Sequence, residues 1–235
     1  NIDYVEREPP ELSNPDETFP IHRLKETHRL PPESASLHTD LFYRQDGIEL
    51  ESASDSRHTP ELDGPIGEIL DSRDARVTLL VHDEAQSQKS NPVEQALVAE
   101  LLNALPKRVV SGSDGTESGL TRGIVVPFRA QRRDLTHLEA AVDTVERFQG
   151  GERDLMILSM TSSERGYINQ LSEFLLDPHR FNVGASRMKR KLVIFASSGL
   201  FEESSDDVDT FEEQEAWVSF FGGMGGLGGE DARYQ

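Results

Sequence analysis

Five short strand candidates, at residues 77–81, 123–127, 142–145, 154–160 and 192–196, constrain this chain more than any other feature. Each has the length of a buried strand. Segments with helical spacing lie between them, so strand and helix alternate along the chain. That order predicts an α/β fold, a mostly parallel sheet with helices on both faces.

The last two runs frame the most informative stretch. Val142 to Ser159 carries a polar turn with Gln149, Gly150 and Glu152, followed by the run Leu155–Met160. The Gly150-Gly151 pair lets another group approach the backbone closely. Asp177 to Ala196 reads as a helix with Asp177 as N-cap and Pro178 at the first position, then a strand from Leu192. Arg180, Arg187, Lys189, Arg190 and Lys191 make it the most basic segment of the chain. Polar clusters at the ends of parallel strands are where α/β proteins bind ligands.

These residues carry a resemblance. Thr144-Val145-Glu146-Arg147-Phe148-Gln149-Gly150-Gly151-Glu152-Arg153-Asp154 and Arg180-Phe181-Asn182-Val183-Gly184-Ala185-Ser186-Arg187-Met188 resemble the last two motifs of the superfamily 1 helicases that move 5′ to 3′. That group contains the nonsense-mediated-decay RNA helicase and the Okazaki-fragment nuclease-helicase. Its patterns read T-V-D-x-F-Q-G-x-E-x-D and R-x-N-V-A-x-[ST]-R-A. Leu24 to Pro32 is similar to the family's L-x-x-Q-Y-R-M-H-P segment, with Thr27 and His28 in place of Gln and Tyr. Val126-Pro127-Phe128, with Gln131 in register, is similar to T-P-Y-x-x-Q.

The resemblance covers roughly residues 21–221 and implies the second RecA-like lobe of a helicase motor. By resemblance Arg187 is the arginine finger and Arg29 reaches the terminal phosphates beside it. Gly150 and Glu152 contact the nucleotide, and Gln149 couples the ATP site to the strand-binding face. Thr144, Pro127, Arg129 and Gln131 lie near the nucleic-acid backbone, where Arg132 and Arg133 add charge. The implied cofactor is ATP with Mg2+. No G-x-x-x-x-G-K-[ST] loop occurs here, so the metal is expected on a first lobe, and this lobe alone is expected to hydrolyse nothing. Implied partners are that first lobe, a single-stranded nucleic acid and a fused nuclease domain. DNA is favoured because Phe174-Leu-Leu-Asp-Pro178 is similar to the fused nuclease-helicases. Gly184-Ala185 is smaller than the family's pair and is expected to loosen the helix carrying Arg187. A lobe that binds a partner protein without motor activity is the other reading left open.

The net charge of −19 argues against a nucleic-acid partner on composition alone, because phosphate binding rests on Lys and Arg. Yet Lys25, Lys89, Lys107, Lys189 and Lys191 are the only lysines among 24 cations. Abundant acids with few lysines suit a salt-adapted cytoplasm, and the expectation is a halophilic, cytoplasmic protein. Zero cysteines exclude disulfides and thiolate metal sites within this chain. No apolar run approaches the roughly 18 residues of a membrane span. A start at Asn1 rather than Met reads as a piece of something longer.

The remaining segments are read from local pattern. Residues 1–20 are a proline-rich, irregular lead-in, and Leu37–Tyr43 reads as a short amphipathic helix. Residues 45–76 read as an acidic surface insertion. His82-Asp83-Glu84-Ala85-Gln86 imitates a magnesium-binding carboxylate motif, but the family's D-E-A precedes the segment matched by Arg29. Asp83 and Glu84 therefore read as solvated strand-end carboxylates. Asn91, Pro92 and Glu94 form a helix start with a capping box, and Val93, Ala96, Leu97, Ala99, Leu101, Leu102 and Leu105 its packing face. Ser111–Ser118 reads as a loop. Phe211, Trp217, Phe220 and Phe221 belong to a closing helix at 209–221, before a flexible Gly-rich tail at 222–235.

Overall fold

The computed structural model describes residues 25–39, 43, 47–54, 59, 62–71, 76–106, 109–111, 116–148, 151–175 and 177–201. The expected lead-in, the closing helix, the tail, Gln149 and Gly150 lie outside the described residues.

The elements run β1 (Glu26–Thr27), α1 (Pro32–His38), β2 (Glu51–Ser52), α2 (Pro65–Leu70), β3 (Val77–His82) and α3 (Pro92–Ala104). Next come β4 (Val109–Ser111), β5 (Thr116–Ser118), β6 (Arg122–Val126), α4 (Arg129–Leu135), β7 (Ala141–Thr144) and β8 (Arg153–Ser159). The described part closes with α5 (Arg165–Gln170), α6 (Ser172–Leu175), α7 (Pro178–Ala185) and β9 (Met188–Ser197). A five-stranded sheet has the order β3-β9-β8-β6-β7, and every pairing in it is parallel. Its strands fall on the five strand candidates.

Alternation along each strand fills both faces. Val125, Met156, Leu158, Leu192 and Ile194 point to one side, where they meet Ile168 of α5, Leu175 of α6 and Ala185 of α7. Ile124, Val126, Leu155, Ile157, Val193 and Phe195 point to the other, against α2, α3 and α4. The central strands of a parallel sheet covered on both faces need near-continuous apolar runs, as in β6, β8 and β9, whereas the edge strand β7 carries Asp143 and Thr144.

Four local expectations are adjusted. The helix expected at 37–43 starts earlier, at Pro32, because the Pro31-Pro32 pair begins it: Pro32 occupies the first helical position, where its missing N–H costs nothing, and α1 runs to His38, while residues 40–42 lie outside the described residues. Residues 45–76 are not all surface, since Leu70 of α2 is fully buried on the sheet. The inward stripe of α3 is Glu94, Val98, Leu101, Leu102 and Leu105, whereas Val93 is 37% exposed. The expected 111–118 loop carries a β4–β5 antiparallel pair at its ends.

Parallel order sorts the motif residues onto two edges. Glu152 and Arg187 immediately precede β8 and β9, at the edge where strands begin; Pro127 and Thr144 stand where β6 and β7 end. A strand as long as β8 separates these edges by roughly 20 Å. The connection 145–152 runs from one to the other. Its buried Phe148 lies over β6 at Gly123, where a Cβ would come within 2.8 Å of Phe148 Cζ and Met156 Sδ. Only glycine leaves room for that crossing.

Candidate functional site

At the edge where strands begin, the two motif blocks are joined by charge. Lys189 Nζ lies 3.3 Å from Glu152 Oε2 and Arg190 Nε donates to Asp154 Oδ1 at 2.8 Å, while the third pair between the blocks, Arg180 with Glu146, stands at the opposite edge, beyond the end of β7. Lys191, fully buried, donates to the Asp71 carbonyl at 3.3 Å. Asp154 also accepts from the Thr121 amide at 2.9 Å and its hydroxyl at 2.6 Å. Burial alone would raise the Asp154 carboxyl, but the Thr121 hydrogen bonds and Arg190 outweigh it and hold the group below its ordinary value.

Arg29 joins this edge from far upstream. Its Nε donates to Glu152 Oε1 at 2.5 Å and its Nη1 to the Ser186 carbonyl at 3.3 Å. The Arg29 hydrogen bond, opposed by partial burial and aided by Lys189, holds the Glu152 carboxyl below its ordinary value. Arg29 therefore does bridge a carboxylate, and the carboxylate is a motif residue beside Ser186-Arg187.

Arg187 differs from its neighbours. Among the described residues its side chain has no ion pair or hydrogen bond, and its buried Nε has no partner. The backbone is fixed: the Arg187 amide donates to the Gly184 carbonyl at 3.2 Å, and the Arg187 carbonyl accepts from the Arg153 amide at 3.0 Å. The expected slack at Gly184-Ala185 is absent. Ala185 is 1% exposed, and a Cβ on Gly184 would collide with Leu158 Cδ2, so glycine lets α7 sit directly on β8.

The opposite edge carries a buried polar network that local pattern misread. Glu94 was expected to cap its own helix. It is instead fully buried, accepting from the Thr161 amide at 3.0 Å on each oxygen, from Ser159 Oγ at 2.5 Å, and lying 3.2 Å from His82 Nε2. Burial pushes its carboxyl above the ordinary value, against these hydrogen bonds. Its place was legible: Glu94, Val98, Leu101 and Leu105 share one helical stripe. Asn91 caps α3 as expected, accepting from the amides of Val93 at 3.0 Å and Glu94 at 3.1 Å.

Gln131, expected at the nucleic-acid backbone, is fully buried. Its Oε1 accepts from the Asn91 amide at 2.9 Å and Gln95 Nε2 at 2.8 Å, while its Nε2 donates to Ser159 Oγ at 3.0 Å. The helical register that sets Gln131 beside Leu135 turns its side chain into the core, so its amide is spent on α3 and β8. Glu84 is likewise not a solvated carboxylate. It accepts from the Ser163 hydroxyl, the Gln86 amide at 2.7 Å and Asn91 Nδ2 at 3.1 Å. Burial works to raise its carboxyl, yet the Ser163 and Gln86 hydrogen bonds hold it below the ordinary value. Asp83 is exposed as expected.

At this edge Pro127 is half-buried, Thr144 is 5% exposed, and Arg129 is exposed without an ion pair among the described residues. Arg132 and Arg133 are engaged, with Asp143 at 3.0 Å and Asp134 at 3.1 Å. Of the described residues, no helix is long and apolar enough to cross a membrane.

A doubly covered parallel sheet with a cationic strand-start edge defines a RecA-like α/β lobe. A model of the AAA domain family matches residues 12–199, and the chain belongs to that family. It is 29% identical over 120 residues, 48% of this chain, to the DNA replication ATP-dependent helicase/nuclease JHS1 of Arabidopsis thaliana. It is 26% identical over 191 residues, 74% of this chain, to the regulator of nonsense transcripts 1 homolog of Neurospora crassa. The probable helicase MAGATAMA 3 of Arabidopsis thaliana is 26% identical over 198 residues, 77% of this chain. The chain spans 8%, 16% and 23% of these relatives, respectively. Family and relatives support a superfamily 1 helicase lobe, a domain of the ATP-dependent helicase type.

Proposed function

We propose that this chain is the second motor lobe of an ATP-dependent helicase and supplies Arg187 to a nucleotide held against a first lobe. The observation that carries the reading is the unpaired Arg187 guanidinium at an edge where the neighbouring cations are paired. A buried donor without an acceptor costs about 1–3 kcal/mol, so the group fits an anion arriving from outside the lobe. Phosphate oxygens match the planar fork of arginine bidentately. ATP, when bound, brings a phosphoryl group whose transfer is eased by positive charge placed against it. Arg29 is held ready beside that position by Glu152.

In this reading Gly150 and Glu152 contact the nucleotide, and Gln149 lies on the connection that links the two edges. Thr144, Pro127 and Arg129 face a single strand, with DNA favoured, while Gln131 acts from inside by fixing the start of α4. Mg2+ belongs with the first lobe, and the chain alone hydrolyses no ATP. A fused nuclease domain and a cytoplasmic setting complete the proposal.

The test is single-strand-stimulated ATP hydrolysis by the full polypeptide and its Arg187→Ala variant. A loss of about a thousandfold with oligonucleotide binding retained is expected of an arginine finger. Unchanged hydrolysis would remove Arg187 from the mechanism, and no hydrolysis in either protein would favour the interaction module.

A further inference from the structure

The edge where strands end carries three aromatic rings, of which only Phe128 belongs to a motif segment. Phe128 stands at the start of α4 between Pro127 and Arg129, Tyr167 lies in α5 and Phe174 in α6. The Phe128 and Phe174 rings stack at 5.6 Å and 30°, and Phe128 and Tyr167 lie 6.1 Å apart at 51°. All three rings are half-buried. Arg180 covers the inner member, its guanidinium carbon 3.9 Å from the Phe174 ring centre. The outer member is Tyr167, whose hydroxyl makes no hydrogen bond among the described residues. A tyrosine packed for the core usually finds its hydroxyl a partner, so this ring ends at water.

The ring is held from beneath. Glu164 accepts from the Gly166 and Tyr167 amides at 2.8 Å each, which fixes the first turn of α5 and occupies that carboxylate. The amides of Ser163 and Glu164 donate to the Ser87 carbonyl at 2.8 Å and 2.9 Å. Thr161, one step earlier, has a φ of 68° and is pinned there by Glu94. A left-handed non-glycine residue costs about 1–3 kcal/mol and persists only where its surroundings over-determine it. On a chain of net charge −19, the exposed Arg129 and Arg165 flank this platform.

We propose that Tyr167, backed by Phe128, is a stacking platform for the bases of a single-stranded nucleic acid, with Arg129 and Arg165 on its phosphates. The inference rests on the helicase reading and names how that face holds its strand. Every base has a π-face, so the contact is tolerant of sequence, as a translocating motor requires.

The experiment compares the affinity of the full polypeptide for a single-stranded oligonucleotide and for an abasic oligonucleotide of equal length. Wild type, Tyr167→Ala and Tyr167→Phe are measured, with thermal melting to confirm folding. Wild type should prefer the base-bearing strand by about tenfold. Tyr167→Ala should lose that preference while keeping its abasic affinity, and Tyr167→Phe should retain it. Equal wild-type affinity for both strands, or a preference unchanged by Tyr167→Ala or lost in Tyr167→Phe, overturns the platform and leaves the helicase reading standing. No binding to either strand overturns the helicase reading as well.

Discussion

Arg29 and Glu152 are 123 residues apart in the chain, and 2.5 Å separates Arg29 Nε from Glu152 Oε1. The pair ties the upstream arginine segment to the residue before β8, and the same guanidinium donates at 3.3 Å to the carbonyl of Ser186, the residue before Arg187.

Acid should release this pair. A carboxyl held below its ordinary value near 4.5 contributes stability that is fully present above that value and lost as pH falls through the lower folded one. The Arg29 and Glu152 side chains are 37% and 34% exposed, so solvent keeps the contribution small. Glu152→Gln should melt slightly below wild type at neutral pH, with the gap closing in acid as pH falls through the lowered folded value. Melting curves across a pH series measure it. A gap that persisted in acid would show that charge does not hold the pair.

Arginine's shape, not its charge alone, should matter at position 187. Arg187→Lys in the full polypeptide should recover less than about tenfold of the ATPase activity lost in Arg187→Ala, because a lysine cannot span two phosphate oxygens. Both variants should stay within about 1 kcal/mol of wild-type stability, since the guanidinium has no partner to lose among the described residues. Steady-state rates and denaturant melts check the two halves; full rescue by lysine would refute bidentate contact.

Removing Glu94 should loosen the opposite edge. Glu94→Ala leaves the Thr161 amide and Ser159 hydroxyl without their acceptor, at a cost of about 3 kcal/mol. Because burial raises this carboxyl, its favourable contribution is present below about 4.5 and is lost as pH rises through the folded value. Glu94→Gln does not titrate, so its stability relative to wild type should climb over that interval. Urea denaturation at several pH values reads both effects, and a pH-independent difference would contradict the assignment.

The crossing of Phe148 over β6 should make Gly123 intolerant of a methyl group. Gly123→Ala is expected to cost about 1–3 kcal/mol by overpacking against Phe148 and Met156. Phe148→Leu removes the clashing ring tip, so the double variant should cost less than the sum of the single ones. Additive costs would mean that the ring does not touch the strand.

Much of the fold was legible because strand burial is a one-dimensional signal. The runs that became β6, β8 and β9 are apolar on both alternations, as the centre of a doubly covered parallel sheet requires. Sequence spacing likewise showed Asn91 as a cap and Pro178 as a helix start. Pattern failed where a polar residue sat on an inward stripe. Glu94 read as a cap of its own helix and Gln131 as a group facing the nucleic-acid backbone, because local rules see only near neighbours and solvent, and their partners Thr161 and Ser159 lie far along the chain.

By itself, then, the sequence determined the layers, the order of strand and helix, and the motif blocks, because these rest on hydrophobic period and local capping. Only the tertiary structure decided that Glu152 and Arg187 share one edge while Pro127 and Thr144 share the other. Parallel strand direction puts residues before strands at one end of the sheet and residues after strands at the opposite end. It also decided which cations are spent. Lys189 and Arg190 find Glu152 and Asp154 at that edge and Arg180 finds Glu146 at the other, whereas Arg187 finds no partner among the described residues, and no count of charges along the chain distinguishes them.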